Sequence, residues 1–257
     1  MPRTLGKALG LPSGLRCVAM PVRRQEDGVR QEEASFAGEW ATACAGMSPK
    51  RRGEFVAGRR CAARALADAG GPLAGCLARG ADRLPVWPRG WLGSISHSAG
   101  WAVAVVGEAA HYRALGIDIQ ETIGPDAVDG VEPLIAMQGE AGRLSALLQC
   151  CAARRNGNTC ARNDAALQRR RALTLLFSAK EALYKALYPL TRRFQDFDAA
   201  AMGEWRPGAM RLTLTRDWDA RAWPAGASIW LRYAWVGDMV ATAVCLPVMP
   251  PADDKNP

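Results

Sequence analysis

Leu173–Tyr188 reads LTLLFSAKEALYKALY, and the architecture follows from treating that stretch as one helix. At helical spacing Phe177, Glu181 and Lys185 fall on one flank, at i, i+4 and i+8. Leu176, Leu183 and Leu187 fall on another and form the apolar stripe a core-facing helix needs. Lys180 lies beside that stripe, so its stem must run along apolar neighbours and its ammonium must find an anion. Glu181 and Lys185 offer a metal ligand or base next to a second cation. Two plainer readings stand beside this one. Glu181 before Lys185 is the favoured order for an exposed i, i+4 ion pair, and Ser178–Glu181 matches a capping box. The helical pattern already runs from about Ala166, which sets Ser178 in mid-helix.

With 257 residues, 49% of them hydrophobic, the chain can bury a core as one domain or two small ones, which excludes a disordered or fibrous protein. A net charge of +8 points to anionic partners: phosphorylated small molecules, nucleic acid or an acidic protein. No apolar segment follows Met1-Pro2-Arg3-Thr4, and the longest apolar run, Trp101–Gly107, is too short to cross a bilayer. The expectation is a soluble, cytoplasmic protein with no membrane span. Eight cysteines without a C-x-x-C pair, beside only two histidines, argue against zinc.

Outward from the central helix, Ser48-Pro49 is a helix start, with serine at the N-cap and proline at the first helical position. That helix runs to Gly70-Gly71 and sets Arg51, Phe55 and Arg59 along one face. Leu15–Val22 reads as an early strand. In GWLGSISHSAG, Gly90–Gly100, period two puts Ser94, Ser96 and Ser98 on one side and Ile95 and His97 on the other. Trp101–Val106 and Tyr112–Gln120 read as two more strands, with Asp118 and Gln120 on a shared face. Pro125 to about Asn163 reads as a long connection with some helix. The central helix ends before Pro189, and Met210–Thr215, Ser228–Trp235 and Met239–Leu246 read as strands. Each half is thus a long helix followed by three strands. The expected fold class is α+β: a pseudo-twofold pair of similar subdomains, each a long helix on a small, mainly antiparallel sheet. The expected boundaries are an N-terminal subdomain at 1–120, a connection at 121–165, a C-terminal subdomain at 166–246 and a flexible tail at 247–257.

Taken in order, GSISHS, GIDIQ and FSAKEALYKAL resemble the 4′-phosphopantetheinyl transferases of the surfactin type. The basic GRRCAARAL helix and the WPRG lead-in are similar to the enterobactin-synthase component D subgroup. The resemblance covers about Arg51–Tyr188. It implies an Mg²⁺-dependent monomer, its coenzyme in a central cleft, that moves the phosphopantetheine arm of coenzyme A to a serine of an apo acyl or peptidyl carrier protein. Adenosine 3′,5′-bisphosphate is released, in secondary-metabolite or siderophore biosynthesis.

By motif match, Asp118 and Glu181 are expected as metal ligands, with Gln120 a poorer third where the motif often carries a second acid. Arg51, Arg59, Arg83 and His97 are expected on the coenzyme's phosphates, with Ser96 nearby and Lys180 and Lys185 reaching the pyrophosphate. Glu181, Lys185 and Asp118 are the expected catalytic set. The connection before Glu181 looks longer than usual, with extra residues around Cys150–Asn163, where relatives meet the carrier. Two rival functions are a basic nucleic-acid-binding module, suggested by the charge, and a non-catalytic coenzyme A binder, suggested by Gln120.

Overall fold

The computed structural model describes residues 5–22, 44–72, 77–156 and 163–248; for residues 152–156 and 163–164 it gives the backbone alone. Nearly all of the expected tail, residues 157–162 of the extra segment and residues 23–34 of the N-terminal stretch lie outside the described residues.

After a short helix α1 (Leu5–Ala8) and strand β1 (Arg16–Pro21), α2 (Pro49–Asp68) begins as its sequence dictates. Ser48 Oγ accepts from Arg51 N at 3.4 Å and Pro49 needs no partner for a missing N–H. The helix stops at Ala69, followed by Gly70 at φ +79°. Its buried face is built from small residues, Ala57, Gly58, Cys61, Ala62 and Ala65, which let it lie close on a sheet. That sheet is antiparallel, in the order β1–β3–β2, with β2 at Trp91–Ser98 and β3 at Trp101–Glu108. Ala99 and Gly100, both at positive φ, make the two-residue hairpin between them.

Strand β4 (Tyr112–Glu121) follows β3 in sequence but hydrogen-bonds to β8 (Met239–Pro247) in a second, five-stranded antiparallel sheet, β4–β8–β7–β6–β5. β7 is Ser228–Val236 and β6 is Ala209–Leu214. β5 (Ala200–Arg206) was not legible in the sequence. Gly203 interrupts it, and the register shifts between Met202 and Trp205, so the period of two is broken.

The serines of β2 join the two sheets. Ser94 Oγ accepts from Ile117 N at 3.1 Å, Ser96 Oγ from Ile119 N at 3.4 Å and Ser98 Oγ from Glu121 N at 3.4 Å. Side-chain oxygens thus satisfy β4 amides that a backbone ladder would otherwise have to pair.

Helix α5 (Asn163–Thr191) crosses β4 and β8 with Leu173, Leu176, Leu183 and Leu187 fully buried. It runs on through Pro189, against expectation. In the last turn a proline costs only its own hydrogen bond and strain against one carbonyl, and Arg192 N closes the end on Tyr188 O at 2.9 Å. The connection is largely helical: a 3₁₀ turn at Pro125–Ala127, α3 (Val128–Ile135) and α4 (Glu140–Asn156). Their apolar faces, with Val128, Ile135 and Leu144, complete the core around α5.

Gly116 sets how near α5 comes to β4. A Cβ there would lie 1.9 Å from Ala182 O and 2.8 Å from Ala186 N, both backbone atoms. Gly116→Ala is expected to force the helix off the strand and destabilise the fold by about 1–3 kcal/mol, read as a lower urea midpoint at unchanged slope. Among the described residues no helix is long and apolar enough to cross a membrane.

Candidate active site

The two sheet-and-helix units leave a cleft of about 1370 Å³, with α2 and β2 on one wall and β4 and α5 on the other. Asp118, Gln120, Glu181 and Lys185 line it from one side, and Arg51, Arg59 and His97 from the other. Ser96 lies between, and Arg83 comes in from the loop before β2.

On the β4 side Asp118 is buried, at 4% exposure. Its Oδ1 accepts from Lys185 Nζ at 2.6 Å and from the Ser96 hydroxyl at 2.8 Å, and Lys185 also donates to Ser96 Oγ at 3.0 Å. Asp118 Oδ2 is buried and has no hydrogen-bond partner. The plain surface pair is therefore excluded: Lys185 turns to Asp118, and Glu181 makes no ion pair within 4 Å among the described residues. Ser178 caps nothing; its Oγ meets Thr242 Oγ1 at 2.9 Å in the core.

Burial raises the Glu181 carboxyl above its ordinary range; Lys185 opposes the rise and Asp118 adds to it. A carboxyl whose folded pKa exceeds its unfolded value favours the fold only while protonated, so its ionisation costs stability as pH rises past the unfolded value of about 4.3. Glu181→Gln is expected to raise the Tm at pH 7. In calorimetric scans that gain should shrink to nothing as pH falls below the carboxylate range.

On the α2 side, Arg59 donates from Nε to Leu77 O at 2.9 Å, and its guanidinium lies 4.6 Å from the centroid of Phe55. Arg51 donates to His97 Nε2, and Glu54, which the sequence reading passed over, lies 3.5 Å from both Arg51 Nη1 and His97 Nδ1. The i, i+3 spacing of Arg51 and Glu54 was readable, but the contact with His97 was not. Burial lowers the His97 pKa; Glu54 pulls it up, and Arg51 and Lys185 push it down. Arg83 stands at φ +66° in a turn closed by Arg83 N to Gly80 O at 2.9 Å and Leu84 N to Asp82 Oδ1 at 3.0 Å.

Lys180 is the correction. It was expected to reach a pyrophosphate, yet it is 4% exposed and is not among the residues that line the cleft. The anion its position demands is Glu140, at 2.9 Å, and it also donates to Ile135 O at 2.9 Å. Glu140 in turn accepts from Met137 N at 2.8 Å and from Met202 N. Nothing in the sequence of the connection marks Glu140 as that partner.

Among the described residues no three His, Cys, Asp or Glu side chains form a metal cluster. The acids of the cleft floor are Asp118 and Glu181, one with an orphaned buried oxygen. Two carboxylates suit Mg²⁺, which holds few protein ligands and fills its octahedron with phosphate oxygens and water.

Two family models match the chain: the 4′-phosphopantetheinyl transferase N-terminal domain over residues 39–107, and the 4′-phosphopantetheinyl transferase superfamily over residues 114–245, more than half of the chain. Similar proteins include 4′-phosphopantetheinyl transferase Npt of Nocardia iowensis, 35% identical over 59% of this chain and 58% of its own length. 4′-Phosphopantetheinyl transferase Svp of Streptomyces mobaraensis is 40% identical over 60% of this chain and 55% of its own. Enterobactin synthase component D of Salmonella typhimurium is 35% identical over 53% and 48%. The chain thus spans about half the length of the relatives it matches. With a superfamily model spanning both carboxylates of the cleft floor, the chain belongs to the 4′-phosphopantetheinyl transferase superfamily.

Proposed function

We propose that this chain transfers the 4′-phosphopantetheine arm of coenzyme A to a serine of an apo acyl or peptidyl carrier protein, releasing adenosine 3′,5′-bisphosphate. The observation that carries this reading is the convergence of Asp118, Glu181 and Lys185 with Arg51, Arg59, Arg83 and His97 on one cleft. Phosphoryl-type transfer asks a protein for positioning and charge neutralisation, and those residues supply both. The two-carboxylate floor argues against a nucleic-acid groove, where acids would repel the backbone. Asp118, Glu181 and Lys185 lining one cleft argue against a mere coenzyme binder, with Gln120 the one departure from the motif's acids.

Arg51, Arg59, Arg83 and His97 hold the coenzyme's phosphates, and Ser96 fixes Lys185 against Asp118. Asp118 and Glu181, with Gln120 beside them, would hold Mg²⁺. Bound there, the ion neutralises charge on the pyrophosphate oxygens. Glu181, directly or through a water molecule, takes the proton of the carrier serine. The serine oxygen attacks the phosphorus that bears the pantetheine arm, and the bond from that phosphorus to the adenosine-side oxygen breaks. Lys185 donates to the leaving oxygen.

The two units, each a long helix on an antiparallel sheet, are read as a pseudo-twofold pair with subdomains near 1–120 and 166–246, the last strand of the first, β4, lying in the sheet of the second. The protein works as a monomer in the cytoplasm, in secondary-metabolite or siderophore biosynthesis. Intact-mass spectrometry of apo carrier proteins incubated with the chain, coenzyme A and Mg²⁺ tests the activity. A gain of one phosphopantetheine is expected; unchanged mass across acyl and peptidyl carriers would overturn it.

A further inference from the structure

Both ring nitrogens of His97 are engaged. Arg51 donates to Nε2, and a guanidinium has no lone pair to offer, so the ring in this arrangement is neutral with its proton on Nδ1. Glu54 Oε2 lies 3.5 Å from that Nδ1 and 3.5 Å from Arg51 Nη1, with only 19% of its side chain exposed. Glu54 lines the same cleft as Arg51, Arg59 and Arg83. An acid so placed weakens the grip of those cations on a phosphate unless it has work of its own.

That work follows if, as proposed above, a phosphate of coenzyme A docks on Arg51 and His97. A phosphate oxygen brings lone pairs, and Nε2 as it stands presents another. We infer that Glu54 is a positioning residue through which phosphate binding at Arg51 and His97 takes up one proton from solvent. Arg51 transfers its N–H from Nε2 to the phosphate. Nε2 gains the proton and donates to the same anion, and Glu54 balances the imidazolium through Nδ1–H.

The charged groups facing the ring are Arg51 and Glu54 from α2, Asp118 from β4 and Lys185 from α5, while its register partner on β3 is Ala102. In the ligand-free protein burial, Arg51 and Lys185 keep the ring neutral against Glu54 and Asp118. A bound dianion adds the negative charge that tips this balance.

Calorimetric titration of the full chain with coenzyme A, in buffers of different ionisation enthalpy, counts the proton. The wild-type protein is expected to take up a proton, up to one per coenzyme bound, at pH above the lowered pKa of the free ring, with affinity there falling by as much as about tenfold per pH unit. Glu54→Gln should take up less than half as much, with a flatter pH dependence, and Glu54→Asp should restore the uptake. His97→Asn should bind coenzyme A more weakly and without that proton, which separates the ring from the coenzyme's own phosphate. Equal uptake in wild type and Glu54→Gln, or none in wild type, overturns the inference and leaves the coenzyme reading standing. A wild-type chain that does not bind coenzyme A removes that reading and the inference together.

Discussion

Asp118→Asn is expected to leave a folded protein whose transfer rate has fallen about 10²–10³-fold, the usual loss when one preorganised electrostatic group is removed from an active site. Asparagine keeps an oxygen to accept from Lys185 and Ser96, which now hold Oδ1 at 2.6 and 2.8 Å. Its amide nitrogen then stands in the position of Oδ2, the buried oxygen without a partner. A donor there repels a cation and can bond no metal, so the substitution removes a ligand and a charge while sparing the packing. The Lys185 ammonium also loses its counter-charge. Initial rates of carrier modification, normalised to folded protein, measure the loss. A rate within a few-fold of wild type would mean that the carboxylate's charge is not used.

Lys180→Met is expected to act on the other quantity. It breaks a pair in which both side chains are 3% exposed, and removing one partner of a buried pair costs about 3–5 kcal/mol because the other is left charged and unpaired. Glu140 would keep the amides of Met137 and Met202 but lose its cation. Methionine fills much the same volume, so the cost is electrostatic rather than a cavity. Urea unfolding should show the drop, while KM for coenzyme A and the rate per folded molecule stay near wild type. The opposite pattern, full stability with a raised KM, would return Lys180 to the pyrophosphate.

The contrast between Lys180 and Lys185 marks how far the sequence was legible. Helical spacing correctly made the Leu176–Leu183–Leu187 stripe buried and demanded an anion for Lys180. It could not say which anion, because Glu140 comes from α4, in a connection distant in sequence whose packing on α5 no local pattern records. Period two put Ser94, Ser96 and Ser98 on one face, and that face proved to be the seam between the sheets. Pairing of β4 with β8 is a choice of edge, made by long-range packing that no local pattern records. Glu54 was hidden for the same reason: its partner His97 is reached only when α2 is laid on β2.

Manganese in place of magnesium, soaked with coenzyme A into crystals of the protein, gives an anomalous signal that locates the divalent ion. One peak bridging Asp118 and Glu181, in contact with pyrophosphate oxygens whose other side faces Arg51 and Lys185, is the expected result. Coenzyme bound in the cleft with no peak at those two acids, or a peak elsewhere in the protein, would contradict it.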